Sequence, residues 1–196
     1  MENIAFRTAT AEELPRILQI IEQARRRMAA AGSQQWQDGY PASGNIANDL
    51  AHGYGYVICR SAAGTASGAD RNGTVRQAEE PGGSPVVAYG AIVFDGEPAY
   101  DAIEGSWLSD RPYVVVHRLA VADEALGRHL GTEFLRHAER LALQRGVSSF
   151  RIDTNFDNHR MLRILTREGF TRCGTVGYRG SSREAFEKLL DESGGR

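Results

Sequence analysis

Residues 113–131 read YVVVHRLAVADEALGRHLG, an apolar run followed by a turn that contains two glycines. The nearly continuous apolar run at 113–121 is typical of a central β-strand that is covered on both faces. Beyond the turn, apolar residues recur at helical spacing up to Gly146, which predicts an amphipathic helix. Its apolar positions are Leu130, Phe134, Leu135, Ala138, Leu141 and Ala142. With a further strand at 149–154, this unit predicts a right-handed parallel crossover.

Similar patterns extend outward over the whole chain. Short apolar runs predict strands at 4–7, 54–60, 86–94, 113–121, 149–154, 170–178 and 183–190. Helical spacing predicts helices at 14–28, 43–51, 131–145 and 158–168, the first preceded by a capping box of Thr10 and Glu13. The order β-α-α-β-β-β-α-β-α-β-β predicts an α/β (α+β) fold in a single domain, residues 1–196. We expect a mixed central sheet of about seven strands flanked by about four helices.

Residues 61–84 differ in composition from the rest of the chain. They consist mainly of Ala, Gly, Ser, Asp, Arg and Glu, and Val75 is their one bulky aliphatic residue. Such a stretch buries too little apolar surface to offset the entropy lost on ordering. We therefore interpret 61–84 as a flexible low-complexity insertion between two strands.

The composition argues against several classes of protein. The 196 residues include 23 Lys or Arg and 25 Asp or Glu, and the net charge of −2 gives no global reason to bind nucleic acid or an anionic membrane. No apolar run spans a bilayer and residues 1–4 lack a signal-peptide pattern, so we expect a cytoplasmic protein. Cys59 and Cys173 have no CxxC spacing, which predicts reduced core thiols. The histidines outside 113–131 have no metal-ligand spacing, so no metal is expected.

The turn at 122–131 carries the most informative chemistry. A loop at a helix N-terminus offers unpaired backbone N–H groups and the positive end of the helix dipole, a geometry that binds phosphate. Gly127 and Gly131 let the backbone approach such a ligand, and Arg128 and His129 are placed to add positive charge. The turn is neither a P-loop nor a dinucleotide-binding motif, and the same glycine spacing also occurs in ordinary loops.

The block at 116–170 resembles the GNAT superfamily of N-acetyltransferases. Residues 116–124, VHRLAVADE, are similar to the family's fourth strand and its exit. Residues 126–131, LGRHLG, lie where the family has Arg/Gln-x-x-Gly-x-Gly/Ala. Residues 152–170 resemble its fifth strand and the helix with the pattern Asn-x-x-Ala-x-x-Leu-Tyr-x-Lys-x-Gly-Phe. The order and spacing of these matches carry the resemblance, rather than any single motif.

This resemblance implies acetyl-CoA as cosubstrate and no metal. The backbone of Leu119, Ala120 and Val121 is expected to pair with the pantetheine arm, and one of these amides to polarise the thioester carbonyl. Around the pyrophosphate we expect Gly127, Arg128, His129, Leu130, Gly131 and Thr132. Asn158 is expected to contact the cofactor from the following helix.

Three positions depart from the family pattern. Leu126 stands where Arg or Gln is usual, and His129 replaces the middle Gly with a bulkier side chain that restricts the turn. Leu165 replaces the Tyr proposed in many members as the general acid for the CoA thiolate. Another group or solvent is then the acid, and a thiolate whose pKa is near that of free Cys, roughly 8.5, leaves without much help.

His117 is the candidate general base. It precedes Leu119 by two residues on the same strand, so the two side chains share a face. It occupies the position of a His that helps to deprotonate the amine in arylalkylamine-type members, and imidazole suits this task at neutral pH. The alternative is a core histidine held by hydrogen bonds. Tyr178 is either the replacement acid, facing the same cleft, or a core tyrosine.

Trp36 and Tyr40 are candidate acceptor-binding residues. They lie between the first two helices, in a loop that covers the acceptor site in similar proteins. Aromatic walls bind the apolar or cationic parts of a substrate. The alternative is that these large side chains pin the loop to the core.

The predicted function is acetyl transfer from acetyl-CoA to a small-molecule or peptide amine by direct attack in a ternary complex. Two alternatives remain open. One is a catalytically degenerate CoA-binding regulatory module, which the residues at 126 and 165 suggest. The other is a generic α/β phosphate-binding domain. Exposed sheet edges at the last two strands favour a homodimer.

Overall fold

The computed structural model describes residues 4–60, 85–178 and 181–191. Its strands are β1 (Ile4–Thr8), β2 (Gly55–Arg60), β3 (Val86–Val93), β4 (Glu104–Gly105), β5 (Val114–Val121), β6 (Ser149–Thr154), β7 (Thr171–Tyr178) and β8 (Ser181–Leu189). Its α-helices are α1 (Leu14–Ala30), α2 (Ser43–Ala51), α3 (Leu130–Gln144) and α4 (His159–Arg167). The strands form one sheet in the order β1-β2-β3-β5-β6-β8-β7-β4.

The predicted mixed sheet with four helices is confirmed. β5 and β6 are parallel, as the predicted crossover requires, and the other neighbouring pairs are antiparallel. The described residues form eight strands rather than seven, because β4 lies in a polar segment that has no alternating pattern. The predicted insertion at 61–84 lies outside the described residues.

The far end of the sheet differs from the prediction. β8 lies between β6 and β7, and the short β4 pairs with β7. The edges of the described sheet are therefore β1 and β4. The homodimer was predicted from exposed edges at the last two strands. This expectation is wrong for β8, which is internal, whereas β4 covers β7 only at Gly174 and Thr175.

Both faces of β5 are covered, as its apolar sequence predicts. Val114 and Val116 pack with Phe134 of α3 in the core on one face. Ala120 packs with Ile17 of α1 in the core on the other face. This double cover fixes the strand on which the candidate base lies.

The two cysteines are free thiols. Cys59 is buried, as predicted, whereas Cys173 on β7 is partly exposed. None of the described helices combines the length and the apolar composition that crossing a bilayer requires.

A bulge divides β5 into two halves. Tyr89 pairs with Ala120 and Ala91 with His117. Between these two pairs β5 advances by three residues and β3 by two. Arg118, within the bulge, has a left-handed φ of 58°. A bulge bends its strand and increases the local twist. Pairing between β5 and β6 is confined to Val114 and Val115, and the two strands diverge beyond them.

Gly90 allows α3 to lie close to β3. A Cβ atom at this position would lie 2.7 Å from the Phe134 ring, which is fully buried. We expect Gly90→Ala to lower the free energy of unfolding by about 1–3 kcal/mol, because the ring has no space into which to move. Urea unfolding measures this difference.

Gly177→Ala is the matched control on β7. No atom lies within 4 Å of a Cβ at this position, so we expect a change below about 0.5 kcal/mol. Equal effects of the two substitutions would contradict the close packing of α3 on β3.

Candidate active site

A cavity of about 670 Å³ opens where β5 and β6 diverge. Its walls are the second half of β5, the turn and first residues of α3, the end of β6, the start of α4 and part of the loop between α1 and α2. The predicted site residues that line it are Trp36, Tyr40, His117, Leu119, Ala120, Val121, Gly127, His129, Leu130, Gly131, Thr132 and Asn158. Arg128 and Tyr178 are not among its lining residues.

The turn before α3 presents open backbone donors to this cavity. The N–H groups of Leu126 and Glu133 donate to the carbonyls of Asp123 and His129. Between these two bonds, no described carbonyl accepts from the N–H groups of Gly127, His129, Leu130, Gly131 and Thr132. Such a set of converging donors at a helix N-terminus suits an anion.

His129 adopts the backbone geometry that glycine would supply. Its φ is 58°, in the left-handed region, and it is the residue that precedes the first turn of α3. This conformation costs a non-glycine residue roughly 1–2 kcal/mol. The turn therefore keeps its shape in spite of the bulkier side chain.

Arginines surround the same end of the cavity. Arg160, Arg163 and Arg167 project from α4, and Arg27 from α1. Arg27 donates to the Val121 carbonyl at 2.6 Å, and Arg167 donates to the Thr132 hydroxyl at 2.6 Å. Arg27 is also paired with Asp123 and Arg167 with Glu168, so Arg160 and Arg163 supply most of the net positive charge at this wall of the cavity.

His117 lies beside a carboxylate that sequence reasoning did not identify. Its Nε2 atom is 3.1 Å from Oε2 of Glu97, and both side chains are largely buried. Burial alone would raise the pKa of Glu97, but the interaction with His117 and a hydrogen bond from the Ala99 N–H outweigh it and lower that pKa. Glu97 is thus an anion at neutral pH. Because its carboxylate contacts Nε2 of His117, Nδ1 is the imidazole nitrogen that remains for another partner.

Asp153 is the centre of a second buried group. It accepts hydrogen bonds from Tyr100 at 2.8 Å, from Tyr178 at 3.3 Å and from Arg183 at 3.1 Å. Burial and the carboxylates of Asp153 and Glu97 raise the pKa of Tyr178 far above its ordinary value. The Tyr178 phenol therefore keeps its proton and donates it in a hydrogen bond to Asp153.

A third group connects α2 to the bulge of β5. Arg118 donates from Nε and Nη2 to the two oxygens of Asp49, at 2.7 and 2.6 Å, and from Nη1 to the Tyr40 hydroxyl at 2.6 Å. Tyr89 donates to Asp49 at 2.7 Å. Asp49 is 1% exposed, so its charge depends on these partners.

The match to known proteins agrees with this geometry. Residues 33–170 match the model of the acetyltransferase (GNAT) family. The chain belongs to the GNAT acetyltransferase family. A GNAT-family acetyltransferase from Streptococcus agalactiae is 32% identical, with a TM-score of 0.77 and 96% of each chain covered.

Two other solved structures share the fold at lower identity. YncA from Salmonella typhimurium, solved with its cofactor acetyl-CoA, is 16% identical, with a TM-score of 0.57 and coverage of 99% of this chain and 98% of that one. The PaiA N-acetyltransferase from Thermoplasma acidophilum, in complex with coenzyme A, is 13% identical, with a TM-score of 0.61 and coverage of 96% and 99%. No curated protein matches the chain.

The loop before α2 is attached to the GNAT core by polar contacts. Asp157 accepts from the Ser33 hydroxyl at 2.5 Å and from the Gln34 N–H at 2.8 Å. The Asn158 amide donates to Gln35 at 2.8 Å and accepts from the Met161 N–H at 3.1 Å, which caps α4. These bonds hold the loop against the cavity.

Trp36 and Leu165 are both buried, but only Trp36 contributes to the wall of the cavity. Trp36 is 7% exposed and belongs to the core beneath α1, and it also lines the cavity, so its position is compatible with both interpretations of this residue. Leu165 is fully buried in the other core and does not line the cavity.

Among the described residues, no cluster of His, Cys, Asp and Glu is arranged to hold a metal ion.

Sequence reasoning missed several residues of this GNAT site. They are Asp49, Glu97, Tyr100, Arg118 and Arg183. Arg118 had a usable signal, because a charged residue within an apolar strand requires a buried partner. Asp49, Glu97 and Arg183 lie in segments of mixed polarity, in which no local pattern distinguishes them.

The ion pair of Arg118 and Asp49 yields a stability prediction. Asp49→Asn leaves the guanidinium, whose side chain is 13% exposed, without its counter-charge. We expect the free energy of unfolding to fall by about 3 kcal/mol, because an unpaired buried charge is strongly destabilising. Urea unfolding measures the loss.

Glu22→Gln is the control for this substitution. Glu22 pairs with Arg25 and Arg26 on the exposed side of α1 and is 41% exposed. Its loss should change the free energy of unfolding by less than about 1 kcal/mol. Losses of similar size for the two variants would show that the Asp49 pair does not stabilise the fold.

Proposed function

We propose that this GNAT protein is a cytoplasmic N-acetyltransferase that moves the acetyl group of acetyl-CoA to a primary amine by direct attack in a ternary complex. The observation that carries the proposal is the layout of one cavity. Open backbone donors of the α3 turn line one part of the cavity, His117, backed by Glu97, lines another, and β5 joins them. The acetyl-CoA in YncA and the coenzyme A in PaiA support the choice of cofactor.

The residues of the cavity fit this cofactor. The open N–H groups of the α3 turn would donate hydrogen bonds to the pyrophosphate oxygens, and the arginines of α4 add positive charge nearby. Because β6 pairs with β5 only at Val114 and Val115, the later backbone groups on that side of β5 lack a strand partner there. Leu119, Ala120 and Val121 would pair with the pantetheine arm as with an added strand.

Acetyl-CoA supplies a thioester whose carbonyl carbon is the electrophile. A backbone N–H of Leu119, Ala120 or Val121 would stabilise the negative charge that develops on the carbonyl oxygen. His117 Nδ1 would take the proton of the acceptor amine, directly or through a water molecule. Glu97 would orient the ring and stabilise the imidazolium that forms, since its carboxylate already contacts Nε2.

Two observations favour a positioning role for Tyr178 over the predicted acid role. Its hydroxyl is hydrogen-bonded to Asp153, and its raised pKa makes it a poor proton donor to a thiolate. The family's acid position carries Leu165, which is buried away from the cavity. We propose that the thiolate leaves without a protein acid and is protonated by solvent.

A CoA-binding module without turnover is the second candidate. The buried Leu165 at the position of the usual acid supports it. Trp36 and Tyr40 favour the enzyme, because aromatic walls beside His117 serve an acceptor but are not required for the cofactor.

Calorimetric titration with acetyl-CoA, followed by thiol release with a panel of amines, tests the proposal. Micromolar binding and amine-dependent release of CoA are expected. Binding without release from any amine would favour the regulatory module, and no binding would remove both functions.

His117→Ala tests the base. We expect kcat to fall by about 100-fold or more, since general bases contribute on this scale, and acetyl-CoA affinity to remain unchanged. Glu97→Gln should lower kcat by a smaller factor. His52→Ala, at an exposed histidine outside the cavity, is the control and should retain wild-type kcat.

Substitutions of His129 test whether the backbone holds the pyrophosphate. His129→Gly keeps the left-handed turn, so acetyl-CoA affinity should stay within about threefold of wild type. His129→Val should weaken binding by about tenfold, because a β-branched residue is strained at a φ of 58°. Equal weakening by both variants in calorimetry would instead assign the binding to the imidazole.

A further inference from the structure

Two arginines, Arg118 and Arg183, flank Tyr40 at the acceptor end of the cavity. Each guanidinium carbon lies 6.0 Å from the centre of the Tyr40 ring. All three guanidinium nitrogens of Arg118 donate to Asp49 or Tyr40. Arg118 therefore uses three of its five N–H groups within the fold.

Arg183 is committed to far fewer partners. Nη1 donates to Asp153 at 3.1 Å. Its Nε atom is buried and has no acceptor among the described residues. Two other arginine Nε atoms share this state, those of Arg25 and Arg151, but neither residue lines the cavity. Arg183 does line it.

The Arg183 side chain is also held in a fixed orientation. Its guanidinium carbon lies 4.5 Å from the centre of the Tyr178 ring, and its side chain is 17% exposed. A guanidinium fixed in this way has N–H groups in a planar fork, which matches the two oxygens of a carboxylate. Little side-chain entropy would be lost on binding.

Arg183 and the candidate base are connected through one tyrosine. Tyr178 donates to Asp153, the partner of Arg183, and also interacts with Glu97, the partner of His117. His117 and Arg183 both line the cavity, so a ligand whose amine reaches His117 can present another substituent to Arg183. A carboxylate near the amine is the group that Arg183 would bind.

We propose that Arg183 selects the acceptor by binding a carboxylate close to the reacting amine, so that the substrates are free amino acids or small amino acid-like molecules. This inference rests on the proposed acetyltransferase function. Peptide N-termini would be poor acceptors, since their carboxylate lies far from the amine.

Matched acceptors test the inference in the unaltered protein. Leucine, methionine, phenylalanine and glutamate are each compared with their α-amides by acetyl-CoA-dependent thiol release. The amide is the less basic amine and loses the α-carboxylate. We expect kcat/KM for the best amino acid to exceed that of its amide by about tenfold or more.

Variants then assign the preference to Arg183. Arg183→Gln, which retains a donor for Asp153, should raise KM for the amino acid by about 10- to 100-fold. It should change kcat/KM for the amide by less than about threefold and leave KM for acetyl-CoA unchanged. Arg183→Lys should give an intermediate KM. Arg172→Gln, at an exposed arginine of β7, is the matched control and should match wild type.

Each outcome decides the inference. Preference for the amides, or equal losses on both acceptor types in Arg183→Gln, would overturn carboxylate selection while leaving the acetyltransferase intact. Thermal melting and acetyl-CoA titration of the variant exclude a folding defect as the cause of a loss. Absence of turnover with every amine would overturn the acetyltransferase and this inference together.

Discussion

Arg118 adopts a left-handed backbone conformation in the middle of β5, and its paired hydrogen bonds to Asp49 hold it there. The bulge at this point sets the direction of every later side chain on the strand. Because strand side chains alternate between faces, the loss of one bulge residue would turn the following side chains to the opposite face. Without the bulge, β5 could also continue beside β6, and the cavity between them would close. The divergence of the strands and the direction of the side chains that follow Arg118 on β5 therefore both depend on this ion pair.

The two ends of the cavity differ in their electrostatics. At the acceptor end each of the two arginines has an acidic partner, Asp49 for Arg118 and Asp153 for Arg183, and His117 lies beside Glu97. At the turn of α3 the helix dipole and the arginines of α4 add positive charge without an equal number of acids. A polyanionic ligand is therefore favoured at the turn and disfavoured at the acceptor end. In the proposed complex, this difference would give the cofactor one orientation along β5.

The elements that could be predicted from the sequence are those marked by a pattern within a short stretch of residues. The apolar run of β5, the glycine turn before α3 and the pattern of α4 lie within residues 113–170, and their bounds agree closely with the structure. The position of β8 between β6 and β7 has no such signal, since strand order is decided by pairing across the sheet. The same holds for Asp49, Glu97 and Arg183, which meet β5 only through tertiary contacts. Sequence patterns therefore predicted the elements around the α3 turn but not the charged partners around His117 and Tyr40.

The polar segment before β5 shows how a stretch without periodicity becomes ordered. Arg151 of β6 lies between the rings of Trp107 and Tyr113, with its guanidinium carbon 4.4 and 4.1 Å from their centres. Glu187 is fully buried beside it and accepts hydrogen bonds from the Leu108 N–H and from two serine hydroxyls. A buried charge network of this kind specifies one arrangement, because any other leaves charges unpaired. Glu97 and Tyr100 lie on this segment, so the network at Arg151 and Glu187 also fixes the partners of His117 and Asp153.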